Sequence, residues 1–197
     1  GLLHDIGRFE QIKRFHSFEP GTMDHAMYGA DLLFGPEQMI RRFVTDPSFD
    51  QLICVAIAKH SDFKLEGIED ERTLLHARLI RDADKLDNCR VKLEESMETL
   101  LDMDEKTVGA SPISPKVWES CKAEESVLSA DRKTGMDYWM SYLALYFDIN
   151  FPETYQIIKE QDYIRRIAER VPYSREDTKE KVAYTVKKLE EKMNIQP

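Results

Sequence analysis

Five histidines and a set of nearby carboxylates carry whatever chemistry this chain performs. His4 and Asp5 stand side by side, after Leu2-Leu3 and before Ile6-Gly7-Arg8-Phe9. Asp24-His25, then His60, then the acidic run Asp82-Ala83-Asp84-Lys85-Leu86-Asp87-Asn88 follow. Imidazole and carboxylate are the hard-to-borderline donors that hold Mn, Fe, Zn, Ni or Mg. A hydrolytic divalent-metal centre is the chemistry these residue types suggest.

The residues differ in what each offers alone. His16 lies beside Lys13 and Arg14 and reads as surface or loop, and His76 reads as core or surface. Neighbouring helical side chains point about 100° apart, so His4 and Asp5 reach one cluster only at the end of a helix or at a bend. Gly7 is compatible with a helix ending there. Asp82 points about 160° from Asp84 and reads as an exposed charge or a partner of Arg78. Asp87 is closer in direction to Asp84, and geometry leaves the choice between them open. Asn88 reads as solvent-facing or capping support.

The elements that must position these groups are helical almost throughout. Met23 to Phe34 is an amphipathic run stopped by Gly35-Pro36. Short helical segments are predicted over Glu37 to Val44 and Phe49 to His60, and a long helix from Glu71 to the Glu94 region. Ser114-Pro115 resembles an N-cap with proline at the first helical position. Met136 to Phe147 is aromatic-rich and predicted buried. Tyr138, Trp139, Tyr142 and Tyr146 form a stripe whose default reading is core packing, with a base-stacking wall second. Phe151-Pro152 opens another helix. Arg175 to Lys192 alternates in charge and reads as an exposed helix or the arm of a homodimer. The Gly109–Pro115 segment is the expected boundary between a ligand-bearing part, 1–108, and a helical extension packed on the same domain, 109–197.

Composition narrows the partners. A chain of 197 residues with 42% apolar residues suits one globular domain with a real core. A net charge of −9 argues against broad attraction to a nucleic acid polymer or an anionic membrane. Cys54, Cys89 and Cys121 show no paired spacing, which suits free thiols in a reducing compartment and a cytoplasmic location. No apolar run reaches the length of a membrane span. The chain opens at Gly1 without a methionine, as if inside a helix, and residues are expected upstream.

The stretch Leu3-His4-Asp5-Ile6-Gly7-Arg8-Phe9-Glu10 resembles the signature of the HD superfamily of metal-dependent phosphohydrolases. His4 and Asp5 match the family's His-Asp pair, and Asp84 in Ala83-Asp84-Lys85-Leu86 matches its distal aspartate. His25 and His60 match the two extra histidines of dinuclear members. The matched stretch runs from Leu2 to about Asn88, with its motifs in the family's order. The family's first histidine belongs upstream of His4, on a helix this chain does not carry. A chain without that helix is expected to expose apolar surface where the helix packs. The resemblance implies an all-α fold, an HD-domain helical bundle with a C-terminal helical extension. Each interval between matched ligands holds about one helix and a connection, as in bundles that build metal sites from facing helices.

What the resemblance implies chemically is a centre of two divalent ions held by His4, Asp5, His25, His60 and Asp84. Asp5 would bridge the ions, and a metal-activated water would attack phosphorus. Arg8 would hold the phosphate of a small soluble ester, a nucleotide among the candidates, since guanidinium matches phosphate bidentately. Lys59 and Lys85 are further cations near the motifs, each equally well read as a solvated charge. Two rival readings accompany this one: a di-iron HD-fold oxygenase, and a non-catalytic regulatory domain that keeps the metal or pocket for ligand sensing.

Overall fold

The computed structural model describes residues 1–18 and 21–195, and every regular element among them is helical. The chain divides into two compact units, Gly1–Asp84 and Lys85–Pro197. The expected boundary at the Gly109–Pro115 segment therefore falls inside the second unit. The reason is visible at Gly109, which is a buried helical residue. A Cβ there would stand 2.3 Å from the carbonyl oxygen of Pro172. This glycine permits close packing and does not mark a linker.

The first unit contains α1 (Gly7–Phe15), α2 (His25–Phe34), α3 (Asp50–Ala58) and the opening of α4 (Glu71–Glu94), with 3-10 turns at Met39–Arg42 and Pro47–Phe49. Two of its helices, α2 and α4, start on aspartate caps. Asp24 accepts from the Met27 N–H at 2.9 Å, and Asp70 accepts from the Thr73 N–H at 2.7 Å. Such caps satisfy N–H groups that the first helical turn leaves unpaired, each contributing about 1 kcal/mol. The core is small: Ala30, Leu33, Ile40 and Ile57 are buried, with Leu3, Ile6, Phe34, Val44 and Ile53 packed around them. Burying each of the larger ones contributes about 2 kcal/mol. The unit also leaves apolar side chains in solvent. Leu75 and Leu79, one turn apart on α4, are each about half exposed, and Phe9 is largely exposed.

The second unit is built around α8 (Gly135–Ala144), reached through α5 (Met97–Leu101), α6 (Glu105–Ala110) and α7 (Pro115–Lys122), and followed by α9 (Pro152–Glu160), α10 (Tyr163–Glu169) and α11 (Glu176–Ile195). Met136, Trp139, Met140 and Leu143 of α8 are fully buried, and α6, α7, α10 and α11 pack against it. Asp137, also fully buried, accepts from the N–H groups of Ser114, Lys133 and Thr134. Ser114 does sit at the N-cap with Pro115 following, but its hydroxyl donates to Asp137 at 2.6 Å and does not cap its own helix. Within the aromatic stripe Trp139 and Tyr146 are core residues, the Trp139 ring meeting Tyr142 edge-on at 5.8 Å. Helix α11 buries Thr178, Val182, Thr185 and Leu189 on one side and carries ion pairs such as Lys181–Asp177. The three cysteines are free, and burial pushes the Cys89 thiol up to about 11 and the Cys121 thiol up to about 12. No helix among the described residues is long and apolar enough to cross a membrane.

Candidate metal centre

His4 and Asp5 lie on a run of tight turns that winds directly into α1. The N–H groups of His4, Ile6 and Arg8 bond back to the carbonyls of Gly1, Leu3 and Asp5 at 3.2, 3.2 and 2.9 Å. Gly7 therefore opens a helix, where the sequence was compatible with one closing. Its special role is proximity. A Cβ on Gly7 would come within 2.0 Å of the His25 carbonyl oxygen, and one on Gly29 within 3.3 Å of the Gly7 nitrogen. Glycines at this crossing let α1 and α2 touch backbone to backbone, which brings the His4-Asp5 turn against the first residue of α2, His25.

His60 arrives from the other side. Helix α3 ends at Ala58, and His60 sits on the turn beyond it. Asp84 comes from α4, completing a set drawn from four places in the first unit. The ligand atoms of His4, Asp5 and His60 lie within 4.8 Å of one another. His25 joins on one flank, with its Nε2 at 3.3 Å from Asp5 Oδ1 and 3.2 Å from His60 Nε2. His60 Nε2 also stands 3.3 Å from Asp5 Oδ1. Asp84 joins on the other flank, its Oδ1 at 3.4 Å from His4 Nε2, which is itself 3.7 Å from Asp5 Oδ2.

The donor set fits a divalent cation. For bonds near 2.1 Å, adjacent ligands around one ion stand about 3.0–3.4 Å apart. Two histidines present the same nitrogen inward: His60 Nδ1 bonds the Ile57 carbonyl at 2.7 Å, and His4 Nδ1 bonds the Gly1 carbonyl at 2.5 Å. A ring that donates through Nδ1–H to a carbonyl offers a lone pair at Nε2 when neutral, the arrangement metal-binding histidines use. Asp5 Oδ1 is buried yet has no well-directed hydrogen bond of its own. An orphaned carboxylate oxygen among inward-facing imidazole nitrogens is costly unless a positive charge sits with them.

Electrostatics points the same way. Burial pushes the Asp5 carboxyl up, but His25, His60, Arg8 and His4 together outweigh it and hold the group far below the ordinary carboxylate range. Asp5 is therefore an anion throughout the working pH range. The bond to Asp84 raises the His4 imidazole above its ordinary value; burial opposes this, and Gly1 and Asp5 add to it.

The remaining candidates separate clearly. Arg8 is at the site, its Nε 3.4 Å from Asp5 Oδ1, with Nη1 donating to Gln11 at 3.2 Å. Lys59 lies at the end of α3 and pairs with Asp62 at 3.2 Å. Lys85 is buried in the second unit and spends its ammonium on Asp148, at 2.7 Å from Oδ2, so it is drawn toward that carboxylate and not presented as a free cation. Asp82, expected as an exposed charge or partner of Arg78, is fully buried. Asp87 is exposed and pairs with Arg90 at 2.9 Å, which leaves Asp84 as the acid of this run beside His4. His16 is exposed at the left-handed residue that closes α1. The residue that the sequence motifs do not single out is Arg81. It is buried and donates to the carbonyls around His60. Its position one turn before Asp84 is the signal that was available.

The family model of the HD domain matches residues 1–89. No curated protein and no solved structure matches the chain. Residues 1–89 are therefore read as an HD domain, the family whose signature the His4-Asp5 stretch resembles.

Proposed function

We propose that this HD-domain protein is a metal-dependent phosphohydrolase that cleaves a small soluble phosphate ester, with His4, Asp5 and His60 at the heart of its metal site and His25 and Asp84 on its two flanks. The observation that carries the reading is Asp5 Oδ1, buried without a directed hydrogen bond and 3.3 Å from the Nε2 atoms of both His25 and His60. A divalent cation, once bound, supplies Lewis acidity and lowers the pKa of a water in its shell. The chain's own part is to hold the charge and the substrate in place. Asp5 contributes a permanent anion with two oxygens, which suits it to bridge if two ions bind. The imidazoles of His25 and His60 would contribute nitrogen ligands whose approach is fixed by helix ends. Arg8 stands beside Asp5 with its side chain about one-third exposed, and its planar fork matches two phosphoryl oxygens. Through that contact it orients the ester and offsets negative charge as the phosphorus–oxygen bond breaks. A net charge of −9 favours a small ester over a polyanionic nucleic acid, since only a local cation is on offer.

The test is a panel of phosphomonoesters, phosphodiesters and nucleotides assayed with Mn2+, Fe2+, Mg2+, Zn2+ and Ni2+, with oxygen uptake followed in parallel. Metal-dependent phosphate release that Asp5→Ala and His60→Ala each reduce by at least about 100-fold supports the proposal. Arg8→Ala should raise KM and leave bound metal unchanged. Metal-dependent oxygen consumption without phosphate release would replace it with the oxygenase reading. Metal binding with neither activity would favour a sensing domain.

A further inference from the structure

Arg81 sends its guanidinium into the turn that carries His60. Its Nη1 reaches the carbonyl oxygens of Lys59 at 3.5 Å, His60 at 3.1 Å and Asp62 at 2.5 Å. Arg81 is 5% exposed and thus has no access to a substrate. These carbonyls follow the end of α3, where the helix no longer supplies N–H partners and where the helix dipole favours a cation. His60 itself is tied to α3 through its ring, Nδ1 bonding Ile57 O at 2.7 Å, and through its N–H to the same carbonyl at 3.3 Å. Arg81 lies three residues before Asp84, on the adjoining turn of α4.

Resting on the metal site proposed above, we infer that Arg81 is a positioning residue that fastens the His60 turn to the helix bearing Asp84 and so sets the affinity and geometry of the metal centre. A ligand on a turn has no helical ladder to fix it, and a displacement of a few tenths of an ångström in His60 Nε2 is enough to weaken a bond to a cation. Rigid guanidinium geometry serves several carbonyls at once. A lysine ammonium at the same place ends one bond short of Nη1 and meets these carbonyls only at longer range. The role is thus specific to arginine and is not met by positive charge alone.

The experiment uses the full chain and Co2+ alone as the probe, read by its visible absorption spectrum and by titration calorimetry. In Arg81→Met the Kd for Co2+ should weaken by about 10- to 100-fold, the range typical of groups that orient metal ligands, and the absorption bands should shift. Arg81→Lys should fall between Met and wild type. Ile40→Val, which trims the core of the same unit, should lower thermal stability while leaving Kd and spectrum unchanged, and this separates positioning from general loosening. If Arg81→Met fails to fold, Arg81→Lys decides. A folded Lys variant with wild-type Kd and spectrum overturns the inference, as does an Ile40→Val variant that reproduces the spectral change. Failure of the underlying site looks different: Co2+ would then bind neither more tightly nor differently in wild type than in Asp5→Ala.

Discussion

In the proposed centre, proton and metal would compete for the Nε2 of His4. In the metal-free protein the Asp84 bond raises this imidazole above its ordinary value, and Gly1 and Asp5 add to the effect against burial. A raised folded pKa means that protonation favours the fold: the stabilisation is fully present below the unfolded value near pH 6.5 and is lost as pH rises through the folded one. Metal acts with the opposite sign, since the cation needs the neutral ring. NMR titration of metal-free protein should place the His4 midpoint above 6.5, Asp84→Asn should move it down, and metal affinity should fall as pH drops through the wild-type midpoint. A His4 midpoint unmoved by Asp84→Asn would break the link between these two residues. Asp5 behaves differently. Its folded pKa is depressed, so its contribution is present above the unfolded value near 3.9 and is lost only as pH falls toward the folded one.

At the scale of elements, the site depends on how closely α1 and α2 approach. Gly7→Ala places a Cβ within 2.0 Å of the His25 carbonyl oxygen, and backbone on both sides must move. The expected cost is about 2 kcal/mol or more, as for other overpacking substitutions, accompanied by weaker metal binding because the His4-Asp5 turn shifts away from His25. Chemical denaturation and a metal titration on the same variant check both halves; a variant as stable as wild type would contradict the crossing described. This crossing also shows where sequence reading stops. Helical patterning placed α2, α3 and α4 to within a few residues, because apolar periodicity and Gly-Pro stops report on local structure. At Gly7 the sequence was compatible with a helix ending, because a glycine needed for backbone contact and one needed for a left-handed turn are the same letter. Asp82 failed for a related reason: helical direction relative to Asp84 was right, but which side of α4 faces protein depends on partners distant in sequence.

At the scale of the whole molecule, the cluster of His4, Asp5, His25, His60 and Asp84 belongs entirely to the unit Gly1–Asp84, while the larger apolar core around Trp139 belongs to Lys85–Pro197. Metal binding should therefore stabilise one unit selectively. At a metal concentration of about 100 Kd the linkage amounts to about 2.7 kcal/mol. Hydrogen exchange should show that gain in α1, α2 and α3 and leave α8 and α10 unchanged; equal protection gained in both units would contradict a site confined to the first. The residue types and order of the candidate ligands were legible in the sequence because the HD signature is local and ordered. The domain boundary was not, because a buried packing glycine at Gly109 has the appearance of a loop, whereas the actual division lies inside an unbroken helix that no breaker residue marks.

In the proposed centre, imidazoles and a carboxylate from distant parts of the first unit share one cation. Anomalous scattering from crystals grown with Mn2+ measures this most directly. The expected result is a peak within bonding distance of an Asp5 carboxylate oxygen and the Nε2 atoms of His4 and His60, lost in Asp5→Ala. Crystals at full Mn2+ occupancy elsewhere, or no peak at this cluster at saturating Mn2+, would contradict it.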